Sequence, residues 1–216
     1  MDLVGGYLLV ILILFTANYG LLFGNFKFGN VKLVEISAMF FAAHFVLMYA
    51  SDFLNNSLSF MGDYLSYLFF VIFVVLIVSV MIYIKNDKFK PALLLILPMS
   101  LISTIFLSSQ ANLNIISMIL YSLCVFITLF VVYQLSKLLH HAKRQYSVII
   151  SEYMCLFAIL MFIFALTYDS ARTIDYTAFS PFLILTPTYQ LIYIIIVIVV
   201  ILVVGVLIND VKGGNS

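Results

Sequence analysis

Long apolar runs separated by short polar segments make up most of the chain. Seven runs reach the roughly 17–25 residues that an α-helix needs to cross a bilayer, and most charged residues lie between them. The runs are 3–23, 33–50, 64–84, 91–107, 115–135, 148–168 and 189–208. This pattern predicts an all-α, polytopic integral membrane protein with seven transmembrane helices.

The fourth run is the least regular because Pro98 lies inside it. Proline lacks an N–H and its ring clashes with the preceding turn, so a kink is expected there. If this run did not span, Lys137, Lys143 and Arg144 would lie on the opposite side of the membrane from the basic residues before them. We therefore count it as a span.

The positions of the basic residues predict the orientation, because Lys and Arg collect in cytoplasmic segments. Of ten Lys and Arg residues, only Arg172 would lie outside if the N-terminus is outside and the C-terminus inside. Tyrosine rings prefer the headgroup region. They predict an outer boundary at Tyr49, Tyr64, Tyr67, Tyr168 and Tyr189, and an inner boundary at Tyr83, Tyr133 and Tyr146.

The composition narrows the class of protein further. Hydrophobic residues make up 65% of the chain and charged residues 9%, against about 25% charged in soluble proteins. The expected organisation is one transmembrane domain, 1–216, in the cytoplasmic (plasma) membrane, without a soluble catalytic module. A net charge of +1 and the absence of a basic stripe argue against a nucleic-acid partner. No metal site and no cofactor are predicted.

His44 is the ionisable residue deepest in any predicted span, and such residues often mark a pathway or a relay. Its charged form is disfavoured in hydrocarbon, so we expect a neutral imidazole at pH 7. Two interpretations remain open: a proton relay or intramembrane polar site, and a structural histidine that bonds a neighbouring Tyr or Ser. Glu35 lies nine residues away and therefore on the opposite face of the helix. It shares a face with Ala38 and Ala42, a small-residue pattern that permits close helix packing.

The sixth span, like the second, begins on the inside, and Glu152 lies about one turn after its start. Glu152 is therefore expected at the same depth as Glu35. The two carboxylates are candidates for one intramembrane polar site. Alternatively, each is a terminal charge near a helix N-terminus, neutralised by Lys32, Lys143 or Arg144.

Two longer outer segments, 51–63 and 169–188, contain the charged residues of the predicted outer surface. If the outside binds a ligand, we expect the contacts to come from Asp52, Asp63, Asp169, Arg172 and Asp175. Their acidic balance favours a cation or an amine.

Gly62-Asp63 and Tyr168-Asp169 resemble motifs of intramembrane aspartyl proteases, although Phe60 replaces the first Gly of the motif and the order is reversed. The string from Ser59 to Asp63 also resembles part of a motif in the lysoplasmalogenase membrane hydrolases. These resemblances imply a membrane-embedded hydrolase as one alternative. Short motifs without structural context are weak signals, so no catalytic residue is assigned.

The function that the sequence favours is a small non-catalytic subunit of a larger membrane complex that assists ion or small-solute movement. Its expected partners are the lipid bilayer and other membrane subunits or further copies of the chain. Besides the hydrolase, a stand-alone transporter and a seven-helix sensor or receptor module acting through a partner remain open.

Overall fold

The computed structural model of the chain describes residues 3–26, 28–86, 89–111, 113–140 and 144–173, without the side chains of residues 54–59, 61, 86, 89 and 173. These residues form α-helices and one short 3₁₀ helix, Ser59–Tyr64. The α-helices are α1 Leu3–Phe23, α2 Asn30–Leu58, α3 Leu65–Asn86, α4 Phe89–Gln110, α5 Ile115–Leu139 and α6 Tyr146–Thr173. Within the described residues, six helices are long and apolar enough to cross a membrane. The predicted seventh span, 189–208, lies outside the described residues.

Helix boundaries agree with the apolar runs except at the polar ends. α4 continues through Pro98 from Phe89 to Gln110, which confirms that the fourth run is a helix of spanning length. The predicted outer segment 51–63 is helical, because α2 continues to Leu58 and the 3₁₀ helix follows directly. Between Ser51 and the 3₁₀ helix the sequence has no glycine or proline to end the helix, and Gly62 is the first.

α1 lies at the centre of the bundle. It is buried along most of its length and packs against α4, α5 and α6. Around it, α2 packs against α4 and α5, and α3 packs against α6 and α4. A helix that is apolar on every side is suited to this position, and α1 contains no charged residue.

The surrounding helices leave large apolar side chains on the outside of the bundle. Met81 on α3, Leu94 on α4, Ile116 on α5 and Leu166 on α6 are all well exposed. Soluble monomers rarely expose so much apolar surface, whereas lipid tails solvate it. The bundle therefore has the surface of a membrane protein.

Successive helices run in opposite directions, so charged residues separate to the two ends of the bundle. The basic end carries Lys32, Lys85, Lys90, Lys137 and Arg144, all exposed. The acidic end carries Asp52, Asp63, Asp169 and Arg172, also exposed. Hydrogen bonds between α5 and the α1–α2 connection fix the first end, and an ion pair between α6 and the 3₁₀ helix fixes the second.

Two tyrosines hold the chain together at the basic end. The Tyr133 hydroxyl accepts a hydrogen bond from Phe28 N at 2.7 Å and donates to Phe26 O at 2.9 Å. The Tyr146 hydroxyl donates to Leu21 O, 2.5 Å away, and so satisfies a carbonyl in the last turn of α1. Of the tyrosines predicted to mark the two membrane boundaries, Tyr83, Tyr133 and Tyr168 are buried within the bundle.

Candidate functional site

His44 lies in the middle of the buried face of α2. The residues of that face recur every three or four positions, as expected for one side of a helix. They are Leu33, Ser37, Phe40, His44, Met48 and Ser51. His44 is only 1% exposed, whereas Glu35, Ala38 and Ala42 are exposed. This burial agrees with the opposite faces that the nine-residue spacing predicts for Glu35 and His44.

The hydrogen bonding of His44 identifies its basic nitrogen. Nδ1 lies 2.9 Å from Phe40 O. A carbonyl oxygen only accepts, so we assign the ring hydrogen of the neutral imidazole to Nδ1 and the free lone pair to Nε2. Nε2 is buried and has no hydrogen-bond partner among the described residues. A proton acceptor is therefore held inside the apolar bundle.

A contact between α2 and α4 fixes the register of these two helices, which both run from the basic end to the acidic end. The hydroxyl oxygens of Ser51 and Ser108 lie 2.6 Å apart. His44 precedes Ser51 by two helical turns, about 10 Å along the axis, and it projects to nearly the same side. The same step back along α4 leads to the level of Ser100.

Ser100 is buried as completely as His44. In the part of the chain that the structure describes, its hydroxyl oxygen has no partner at hydrogen-bond distance. The nearby Tyr19 hydroxyl donates to Ile96 O, 3.2 Å away. The Ser100 hydroxyl also interacts with the Tyr19 hydroxyl. By the register set at Ser51 and Ser108, His44 on α2 and Ser100 on α4 lie at about the same level of the bundle, and both side chains are buried.

From this level towards the acidic end, α4 carries a series of buried small hydroxyl side chains, and Ser108 among them contacts Ser51 on α2. We call Ser51, Ser103, Thr104 and Ser108 the hydroxyl seam; all four are buried. Ser103, Thr104 and Ser108 donate to Met99 O, Ser100 O and Thr104 O, at 2.6, 2.8 and 2.5 Å. Each hydroxyl oxygen keeps acceptor capacity after this donation. The seam therefore provides polar groups in a region that is otherwise apolar.

Towards the basic end, the surroundings of His44 change from hydroxyl groups to aromatic rings. We call Tyr19, Phe23, Phe28 and Phe40 the aromatic cluster. Phe40 lies with its ring centre 6.1 Å from that of His44, 5.1 Å from Tyr19 and 6.0 Å from Phe23. Phe23 in turn packs against Phe28 at 6.2 Å. The hydroxyl seam thus lies on the acidic-end side of the level of His44, and packed aromatic rings lie on the basic-end side.

The structure places the two predicted glutamates on helices with different neighbours. Glu35 lies on α2, which packs against α4 and α5, whereas Glu152 lies on α6, which packs against α3. Arg144 Nη1 lies 3.2 Å from Glu152 Oε1, and both side chains are about half exposed. Glu152 therefore has the counter-charge that the alternative interpretation of the sequence expected. It also lines a cleft of about 470 Å³ between α3 and α6, together with Val80, Ile84, Ser151 and Cys155.

The candidate ligand contacts at the acidic end are exposed, and two of them pair with each other. Arg172 Nη1 lies 2.6 Å from Asp63 Oδ1 and 3.3 Å from Gly62 O. This pair joins the end of α6 to the 3₁₀ helix. Asp52 and Asp169 are exposed, and Asp175 lies outside the described residues.

The sequence interpretation identified His44 but missed the buried serines on α2 and α4 and the buried asparagine on α1. Asn18 on α1 is completely buried, and neither atom of its amide has a partner among the residues described. Ser37, His44 and Ser51 are spaced by seven residues, and Ser100, Ser103 and Thr104 by three and one. The spacing on α2 was the available signal, because it places Ser37 and Ser51 on the same helix face as His44.

Within the described ranges, no group of three His, Cys, Asp or Glu side chains is placed to hold a metal ion. The chemistry that the arrangement around His44 supports is reversible proton binding at Nε2. No protein-family model, curated protein or solved structure is significantly similar to the chain.

Proposed function

We propose that the chain is a small non-catalytic subunit of a larger membrane assembly that assists the movement of an ion or a small solute. The observation that carries this proposal is His44, whose unpaired Nε2 is buried in the middle of an apolar helix bundle. Burying an unpaired polar group is costly, and ionisable residues inside membranes usually mark ion or solute pathways.

The proposed topology has seven crossings, with the N-terminus outside and the C-terminus inside the cytoplasmic membrane. Residues 189–208 supply the seventh crossing in this proposal. The separation of charge between the two ends of the bundle supports the orientation, since Lys32, Lys85, Lys90, Lys137 and Arg144 share the end assigned to the cytoplasm.

A role as a subunit is supported by the outer face of α2. Glu35, Ala38 and Ala42 recur at three- and four-residue spacing on this face, and all three are exposed. Small residues spaced by four let a second helix approach closely, which favours helix association in a bilayer. The proposed partner on this face is a membrane helix from another subunit or from a second copy of the chain.

In the proposed movement of an ion or small solute, each candidate residue has a role. His44 is the proton-exchanging group in the bundle interior. Glu35 and Glu152 are coupling groups at the basic end, where Glu152 pairs with Arg144. No catalytic residue is proposed, since a carboxylate dyad needs two close acidic groups and Asp63 pairs with Arg172 instead.

Purification in mild detergent followed by mass spectrometry of the co-purifying chains tests the subunit proposal. Replacing Ala38 and Ala42 by Leu should reduce co-purification, because the larger side chains prevent close helix contact. Ala50→Leu is the matched control, since Ala50 is exposed on the same helix but lies on another side. A lone monomer for the unmodified chain would overturn the proposal.

A further inference from the structure

We infer that Nε2 of His44 exchanges protons with the acidic end of the bundle through the hydroxyl seam, and that the aromatic cluster blocks exchange with the basic end. This inference rests on the proposed role of His44 and adds a direction and a route to it. It is independent of whether the chain is a subunit or acts alone.

The step at the histidine is a simple proton transfer. Nδ1 keeps its hydrogen, because Phe40 O holds it at 2.9 Å. A proton that arrives along the seam binds the lone pair of Nε2 and gives an imidazolium with a hydrogen on each nitrogen. The return step releases the same proton from Nε2. No bond between heavy atoms changes, and no other reactant is needed.

The route to the acidic end is formed by groups that both accept and donate. Ser100 and Ser108 are eight residues apart, about 12 Å along the helix axis, which covers about a third of α4. The hydroxyl groups from Ser100 to Ser108 follow one another at intervals of about one helical turn or less, and Ser51 on α2 meets Ser108 at 2.6 Å. Water bound between such groups finds the two to four polar partners that buried water requires.

The opposite side of His44 has no comparable series of hydroxyl groups among the described residues. The aromatic cluster presents ring carbons, and its single hydroxyl, on Tyr19, is directed at α4, where it donates to Ile96 O and interacts with the Ser100 hydroxyl. Packed rings exclude water and offer a proton no continuous chain of acceptors. Ser37 lies on this side, buried and without a partner in the described structure, so it reports whether water passes the cluster.

The groups around His44 leave its charge without a counter-ion in the described bundle. Between Pro91 and Gln110, α4 has no titratable side chain. Tyr19 is the titratable residue of α1 near this level, and α5 contributes Tyr121, Cys124 and Tyr133. The carboxylates of Glu35, Asp52 and Asp63 are exposed at the bundle surface. We therefore expect the imidazolium to form only when acidification of the acidic end drives it.

Cysteine accessibility tests the route. In a chain with Cys124 and Cys155 replaced by Ala, Ser103, Thr104 and Ser108 are each changed to Cys in sealed vesicles of one orientation. A membrane-impermeant, cationic methanethiosulfonate reagent is then added to one side at a time. We expect Thr104→Cys and Ser108→Cys to react several-fold faster from the acidic end than from the basic end.

Two further positions serve as controls. Ser122→Cys reports a buried hydroxyl position on α5 outside the seam, because the Ser122 hydroxyl donates to Met118 O. Ser37→Cys reports the far side of the aromatic cluster. Both should stay unreactive from either side. Any of three results would overturn the inference. Ser122→Cys could react as fast as the seam cysteines, Ser37→Cys could react from the basic end, or none of the seam cysteines could react.

Nitrogen-15 NMR of labelled histidine in nanodiscs gives a second readout that needs no cysteine. The Nε2 signal of His44, assigned by its loss in His44→Gln, should move from the unprotonated to the protonated position on acidification. Thr104→Val and Ser108→Ala should slow this exchange without unfolding the chain. A signal that never titrates would contradict the inference, whereas a monomeric chain with a reactive seam would contradict only the subunit proposal.

Discussion

The hydroxyl groups of Ser51 on α2 and Ser108 on α4 lie 2.6 Å apart, in a buried contact between two helices that are joined only through α3. This contact fixes the register that brings His44 to the level of Ser100. Each hydroxyl also lies at hydrogen-bond distance from a carbonyl of its own helix, Met48 O for Ser51 and Thr104 O for Ser108. Since each serine has one hydroxyl hydrogen, one serine donates to its carbonyl while the other donates across the interface.

We expect the Ser51–Ser108 pair to stabilise the bundle modestly. In a double-mutant cycle with Ser51→Ala and Ser108→Ala, the coupling energy should be about 0.5–1.5 kcal/mol, the range found for hydrogen bonds between membrane helices. Thermal or denaturant unfolding in micelles measures it. Ser122→Ala should show no coupling with Ser51→Ala, and a zero coupling for the pair itself would mean that the contact contributes nothing.

His44 variants distinguish a structural histidine from a proton-exchanging one. His44→Gln keeps a hydrogen-bonding amide, and His44→Leu removes only the bond to Phe40 O, so we expect each to change stability by about 1 kcal/mol or less. Both should abolish pH-dependent flux in liposomes, since neither side chain titrates near neutrality. A normally folded Gln variant with full pH-dependent flux would exclude the relay.

Gly24 is a position where a side chain does not fit. A Cβ there would overlap the hydroxyl oxygens of Tyr146 and Ser136, and Tyr146 would have to release Leu21 O. We expect Gly24→Ala to destabilise the protein by about 1–3 kcal/mol. Gly29→Ala is the matched control, because its Cβ would meet no atom within 4 Å, and its midpoint of unfolding should stay unchanged.

The Tyr133 hydroxyl is the main polar link between α5 and the connection of α1 with α2. Tyr133→Phe keeps the buried ring but leaves Phe28 N without its partner at 2.7 Å. A buried donor that loses its partner costs about 1–3 kcal/mol, so the melting temperature should fall. Tyr67→Phe, on an exposed ring of α3, should leave it unaltered.

Reporter fusions test the orientation. Fusions after Lys90 and Arg144 should read cytoplasmic, and fusions after Gln110 and Arg172 external, since the first two positions share the basic end and the last two the acidic end. A fusion at Ser216 tests the proposed seventh crossing, 189–208, and its reporter should be cytoplasmic. An external signal at Ser216 together with the expected signals elsewhere would limit the chain to six crossings.

The sequence by itself determined the class of fold and most of the helix positions. Long apolar runs have one stable arrangement in a bilayer, the helix, because it satisfies every backbone group internally. For this reason α1 agrees with its apolar run at both ends, and α4 could be counted as a helix despite Pro98. The sequence also singled out His44, since a titratable residue in such a run is conspicuous.

Only the tertiary structure decided which helix faces His44 and which polar groups share its level. An apolar helix has a weak amphipathic pattern, so its sequence does not say which side meets a neighbour and which meets lipid. Tyr133 illustrates the same limit: its ring suits the headgroup region, but packing against the α1–α2 connection buries it and pairs its hydroxyl with Phe26 and Phe28. The contact between Ser51 and Ser108 depends on two helices separated by α3, a long-range relation that local sequence patterns do not contain.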